Sequence, residues 1–71
     1  MALDKLEQVR TFISVADARS FSAAARTLQI STNGVSLRIR QLEEALHVTL
    51  FVRTTRSVSL TNEGRLLYAR A

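Results

Sequence analysis

STNGVSLRIRQLEEAL, residues 31–46, carries apolar side chains at Val35, Ile39, Leu42 and Leu46. Spacings of four, three and four place them on one face of a 3.6-residue helix. The other side holds Thr32, Asn33, Ser36, Arg38, Arg40 and Gln41, all able to donate hydrogen bonds, while Glu43 and Glu44 come late. The early, exposed part is therefore positive and rich in donors, as a helix entering a DNA major groove needs. An ordinary amphipathic surface helix with a solvated side has the same pattern, so the neighbouring segments must decide.

The chain has 71 residues, which suits one small domain. Hydrophobic residues make up 46% of it, enough for a core and too many for a disordered chain. Proline is absent and only two glycines occur, in keeping with a mostly helical fold. Without cysteine there is no disulfide framework and no thiolate metal site. The stretch MALDKLEQVR at the start is charged and amphipathic, unlike a secretion signal, and no apolar run approaches the length of a membrane span. The net charge of +4 is unevenly placed. Residues 1–24 balance to zero, whereas residues 25–71 hold seven arginines against three glutamates. Arginine predominates among the cations, and its fork suits phosphates and guanine edges. A basic surface also suits an acidic protein or a membrane.

Leu3, Leu6, Val9, Phe12, Ile13 and Ala16 recur at helical spacing and predict a first helix over residues 4–18, with Phe12 and Ile13 in the core. Asp4 and Glu7 have the spacing of a capping box. Ser20 is a good N-cap for a short helix over residues 21–28, whose buried side is Phe21, Ala24, Ala25 and Leu28. Paired alanines permit a close helix crossing, although alanine is also simply the best helix former. Gln29 and Ile30 connect this helix to Ser31, the next N-cap, with Ile30 anchoring the turn. A short helix, a tight turn and a longer basic helix make a helix-turn-helix.

Beyond Leu46 the period changes. His47, the single histidine, has no second ligand beside it and reads as a residue at a helix C-terminus. Residues 48–52 and 57–60 are two short β-prone runs that predict a hairpin, with Leu50, Phe51 and Leu60 as its core contacts. Arg53, Thr54, Thr55 and Arg56 form its polar tip. Arg53 and Arg56 could reach DNA phosphates or the minor groove, or the tip could merely be solvated. Thr61 then caps a last helix from Asn62, with Leu66, Leu67 and Ala69 apolar and Tyr68 mixed. So short a helix is marginal alone, so it packs on a neighbour or continues in a longer protein.

The order Ser20-Phe21-x-x-Ala24-Ala25-x-x-Leu28, Ser31-x-x-x-Val35-Ser36-x-x-Ile39-x-x-Leu42-Glu43, Leu50-Phe51-x-Arg53 and Leu60-Thr61-x-x-Gly64 resembles the N-terminal domain of LysR-type transcriptional regulators. The resemblance extends from about Leu6 to Gly64. It implies a mostly α winged helix-turn-helix: a three-helix core, a two-stranded β-hairpin wing and the start of a C-terminal linker helix. The domain would span residues 1–61, with the motif proper at 21–40 and the linker helix beginning at 62–71. It implies sequence-specific binding of double-stranded DNA by a cytoplasmic, nucleoid-associated bacterial regulator. Base contacts would come from Thr32, Asn33, Ser36 and Leu37, and Arg53 matches the wing arginine of the family. Arg38 and Arg40 on the reading helix, with Thr54 and Arg56 at the wing tip, complete the expected DNA-binding set. Homodimerisation would use the linker helix through Leu66, Leu67 and Tyr68. No cofactor is expected in this chain; a small-molecule effector would bind a C-terminal domain that lies outside it.

Four positions depart from the family pattern. Asn33 stands where proline is frequent, Gly34 where alanine is usual, Leu37 where a polar or basic residue is common, and His47 where glycine usually follows the helix. Leu37 could offer only apolar contact, for instance to a thymine methyl. Two other functions need weighing. A winged helix could be a protein-interaction module whose basic side meets an acidic partner, and insensitivity to duplex DNA would mark it. Catalysis has little support: there is one histidine, no cysteine and no glycine-rich phosphate loop, and the adjacent Glu43 and Glu44 do not face each other on a helix.

Overall fold

A computed structural model of the chain describes residues 5–54 and 57–70. The elements run α1 (Lys5–Ala18), α2 (Phe21–Leu28), α3 (Thr32–Leu46), β1 (Phe51–Arg53), β2 (Val58–Leu60) and α4 (Asn62–Arg70). The first three helices pack against one another, while β2 of the hairpin packs against both α1 and α4. Asp4, half of the expected capping box, and Leu3 lie outside the described residues, as does Arg56 at the wing tip.

The helix ends explain the tight turns. Ser20 and Ser31 adopt extended backbone and accept hydrogen bonds from the amides of Ala23 at 3.1 Å and Gly34 at 2.9 Å, satisfying donors that helix starts leave open. The C-terminal ends of α2 and α3 close identically. Gln29 and His47 take left-handed backbone with φ of 60° and 57°. The amides of Ile30 and Val48 then donate back to the carbonyls of Ala25 at 3.1 Å and Glu43 at 3.2 Å. This is the Schellman arrangement, and its apolar follower packs inward in both cases, Ile30 and Val48 each lying against the core. His47 is thus a helix C-terminal residue, as its position suggested.

The core holds Phe12, Val15, Phe21, Ala24, Ala25, Val35, Ile39, Leu42, Leu50 and Phe51. Two residues of the apolar patterns are exposed instead, and Ile13, expected in the core, is only partly buried against it. Leu6 is 65% exposed in the first turn of α1, and Leu46 is 37% exposed at the last position of α3. Leu46 is the last residue of α3, whereas Leu6 lies on the side of α1 turned away from the buried Phe12 and Val15. Conversely Val15, which the first-helix periodicity passes over, is fully buried.

The first strand is shorter than residues 48–52 suggest, because the chain before Phe51 spends its hydrogen bonds elsewhere. The Leu50 amide donates to the Glu43 carboxylate at 2.7 Å, and the Leu50 carbonyl accepts from the Thr61 amide at 3.0 Å. The Thr49 carbonyl accepts from the Thr61 hydroxyl at 2.5 Å. Pairing therefore begins at Phe51, opposite Leu60, and continues with Val52 opposite Ser59 and Arg53 opposite Val58. Leu50 and Phe51 are both buried, which strict strand alternation forbids and this anchored corner permits.

Thr61 also caps α4, accepting from the Gly64 amide at 3.0 Å. Leu67 packs toward the core, Leu66 is 65% exposed, and the Tyr68 hydroxyl donates to the Asp17 carboxylate at the end of α1. That carboxylate, first by accepting the hydrogen bond and then by its charge, holds the Tyr68 phenol above its ordinary pKa. Among the described residues, no helix is long and apolar enough to cross a membrane.

Two substitutions test this packing. A Cβ at Gly64 would stand 2.3 Å from the Leu50 carbonyl oxygen, so Gly64→Ala must push apart backbone rather than a side chain. It should cost about 1–3 kcal/mol, read as a fall in the denaturation midpoint. A neutral result would mean that α4 shifts freely on the hairpin. His47→Gly relieves left-handed strain and should stabilise by about 0.5–1 kcal/mol, after the greater flexibility of unfolded glycine is counted. A loss of stability would show that the His47 side chain makes a contact worth more than that strain.

Candidate nucleic-acid interface

Because α3 buries Val35, Ile39 and Leu42, its outward side is determined by the 100° step of the helix. Thr32, Asn33, Leu37 and Arg40 are exposed and Ser36 is half-buried. Asn33, Ser36, Leu37 and Arg40 are spaced three or four apart and share one face. Leu37, 52% exposed, lies almost opposite the buried stripe and is therefore the outermost part of this face. No acidic residue occupies the first turn of α3. The positive end of its helix dipole lies at the turn that carries Thr32 and Asn33.

Arg38 stands apart from this group. Its guanidinium reaches back to α1, with one nitrogen 3.4 Å from the Thr11 hydroxyl and 3.8 Å from a Glu7 carboxylate oxygen. Its side chain is only 20% exposed, so in the free protein it ties α3 to α1. Gln41, from the same polar side of the sequence, is also half-buried. The helical wheel explains Arg38, whose position flanks the buried stripe instead of opposing it.

The wing supplies a second polar edge. The Thr54 amide donates to the Ser57 carbonyl at 2.9 Å, and the Ser57 amide donates to the Thr54 hydroxyl at 3.0 Å, closing the base of the tip. Arg53 is exposed, yet its guanidinium carbon lies 4.0 Å from the centre of the Phe21 ring. The hairpin arginine is thus held against the first residue of α2. Of the residues proposed for dimerisation, Leu66 and Tyr68 are exposed on α4, while Leu67 is turned toward its own core.

The contacts of two residues were not legible in the sequence. Glu43 matches a motif position and reads as charge late in a helix, but its partner is a backbone amide with no sequence signature. Phe21 reads as core, and nothing in its spacing shows that one ring face meets Arg53 across the fold.

The family model for bacterial regulatory helix-turn-helix proteins of the lysR family matches residues 6–65. The chain belongs to the LysR family. It is similar to the HTH-type transcriptional activator AllS of Salmonella paratyphi A (strain ATCC 9150 / SARB42), with 55% identity over 65 residues, 92% of this chain and 21% of that protein. The LysR-family chain therefore spans about a fifth of the length of that curated relative. Among solved structures it resembles a BenM_DBD/catB site 1 DNA complex, with a TM-score of 0.89 and 36% identity over 94% of this chain and 74% of that one. It also resembles a CbnR_DBD-DNA complex, with a TM-score of 0.90 and 31% identity over 94% of this chain and 77% of that one. The winged helix-turn-helix of the LysR family is thus the fold of this chain, and the members it resembles are transcriptional regulators.

Proposed function

We propose that this chain binds double-stranded DNA as the DNA-binding domain of a transcriptional regulator. Residues 1–61 form the domain and residues 62–71 begin its linker helix. The observation that carries this reading is the outward face of α3, where Asn33, Ser36, Leu37 and Arg40 stand together opposite the buried stripe. That face enters the major groove, with Thr32 at its leading end. Thr32, Asn33 and Ser36 offer hydrogen bonds to base edges or phosphates, and Arg40 neutralises a phosphate or reads guanine. Arg53 and Thr54 meet the backbone or minor groove at the wing, and Arg56 is assigned the same role from its place in the sequence. Arg38 serves by holding α3 at its angle to α1. DNA complexes of the similar BenM and CbnR domains support the class of partner.

Leu37 sets part of the base preference. The only apolar group on the edges of the major groove is the thymine C5-methyl, and Leu37 is the apolar side chain at the centre of a polar face. The regulator acts in the bacterial cytoplasm as a homodimer, in which the exposed Leu66 and Tyr68 of α4 meet their counterparts and Leu67 supports them from within.

Fluorescence anisotropy on a random-sequence duplex across a salt series tests the binding. Affinity should fall linearly in log–log form, and Arg53→Ala should weaken binding and lower the slope by about one. Binding indifferent to salt, or none at low salt, would overturn the reading. On the selected site, replacing the contacted thymine by uracil should weaken wild-type binding roughly three- to fivefold, the worth of one buried methyl group. Leu37→Ala should erase that difference. A protein indifferent to every thymine-to-uracil change would remove Leu37 from the base-reading set.

A further inference from the structure

Arg53 ends a ribbon of two three-residue strands, which has little rigidity of its own. A long cationic side chain on such a ribbon would sample many rotamers, and ordering it on DNA would cost affinity. The fold restrains it from outside the ribbon. Phe51 and Arg53 are two apart on β1 and so share a face of the hairpin. Phe51 packs against Phe12 with ring centres 5.3 Å apart and meets Phe21 edge-on at 5.7 Å and 71°. Phe21, so wedged and nearly buried, presents a ring face to the Arg53 guanidinium at 4.0 Å.

The chemistry of this contact favours a positioning role. A guanidinium lying on an aromatic ring keeps its N–H donors directed outward in its own plane, free for an oxygen anion. Phe21 also opens α2, where the Ser20 cap and the core pin its backbone, so the ring is a fixed reference shared with the helix-turn-helix. We propose that Phe21 is a positioning residue for DNA binding, its ring holding the Arg53 guanidinium ready to meet a backbone phosphate. This inference rests on the proposed DNA-binding function. It adds a physical link between the first residue of the helix-turn-helix and the wing, so that the two DNA contacts are held in mutual register before DNA arrives.

The first test needs no DNA. In the nuclear magnetic resonance spectrum of the free protein, the Arg53 side-chain protons should be displaced upfield by the ring current, and Phe21→Leu should return them to exposed-arginine positions. Undisplaced Arg53 protons in the wild type would overturn the inference. The second test is a double-mutant cycle on one duplex at fixed salt. Phe21→Leu should lose roughly three- to tenfold in affinity in the wild type and nothing further in an Arg53→Ala background. An equal loss in both backgrounds would show that Phe21 acts only through the core, and would overturn the inference. Arg53→Lys guards against a Phe21→Leu variant that fails to fold. It keeps the charge and the salt slope but loses planar stacking, so it should show a similar loss, and wild-type affinity would overturn the inference. Upfield Arg53 protons in a wild-type protein that binds no duplex would instead sink the DNA-binding reading and this inference with it. Undisplaced protons in a protein that binds DNA would sink this inference alone.

Discussion

The backbone of Leu50 is the joint on which the second half of the molecule depends. Its amide is held by the Glu43 carboxylate of α3 and its carbonyl by the amide of Thr61, just before α4, while its side chain is fully buried. Gly64 lies so close to that carbonyl that a Cβ has no place there. One residue thus ties the end of α3, the base of the hairpin and the start of α4 into a single unit. A charge-assisted hydrogen bond between Glu43 and a backbone amide is stronger than a neutral one, which suits it to set the angle of the wing. The wing would otherwise depend on a short ribbon packed against α1.

The division of labour on α3 follows from the same geometry. The stripe of Val35, Ile39 and Leu42 fixes which side faces water, and the Schellman turns at Gln29 and His47 fix where the helix begins and ends. Its cations then separate by angle. Arg38, beside the stripe, is used against Glu7 and Thr11, whereas Arg40 faces outward. Arg53 is likewise exposed but not free, being laid on Phe21. Two basic side chains near the proposed DNA surface are therefore restrained in the unbound protein, which reduces the ordering that binding would require.

Much of this was legible in the sequence because its signals are local. Helix caps at Ser20, Ser31 and Thr61 depend on contacts three residues away, and the apolar periods of α2 and α3 point directly at Phe21, Ala24, Val35 and Ile39. What escaped depends on contacts between distant residues. The strand begins at Phe51 and not at Val48 because Glu43 and Thr61 capture backbone that a β-prone run would otherwise pair. Leu46 is exposed because a period is blind to where a helix ends, and Leu6 because the buried face of α1 is the one that carries Phe12 and Val15. A coarse division of α3 into two sides places Arg38 with the donors, because it cannot separate residues that flank the stripe from those that oppose it. The contact between Phe21 and Arg53 joins residues with no shared period at all.

On the proposed function, the outward face of α3 and the wing together make the surface that meets DNA. The most direct measurement is a titration of the isotope-labelled protein with duplex DNA, following each backbone amide by nuclear magnetic resonance. The largest shifts should fall at Thr32, Asn33, Ser36, Leu37 and Arg40 on α3 and at Arg53 on the wing, with Leu66 and the outer side of α4 little changed. Shifts concentrated on α1 or α4, with the start of α3 undisturbed, would contradict it.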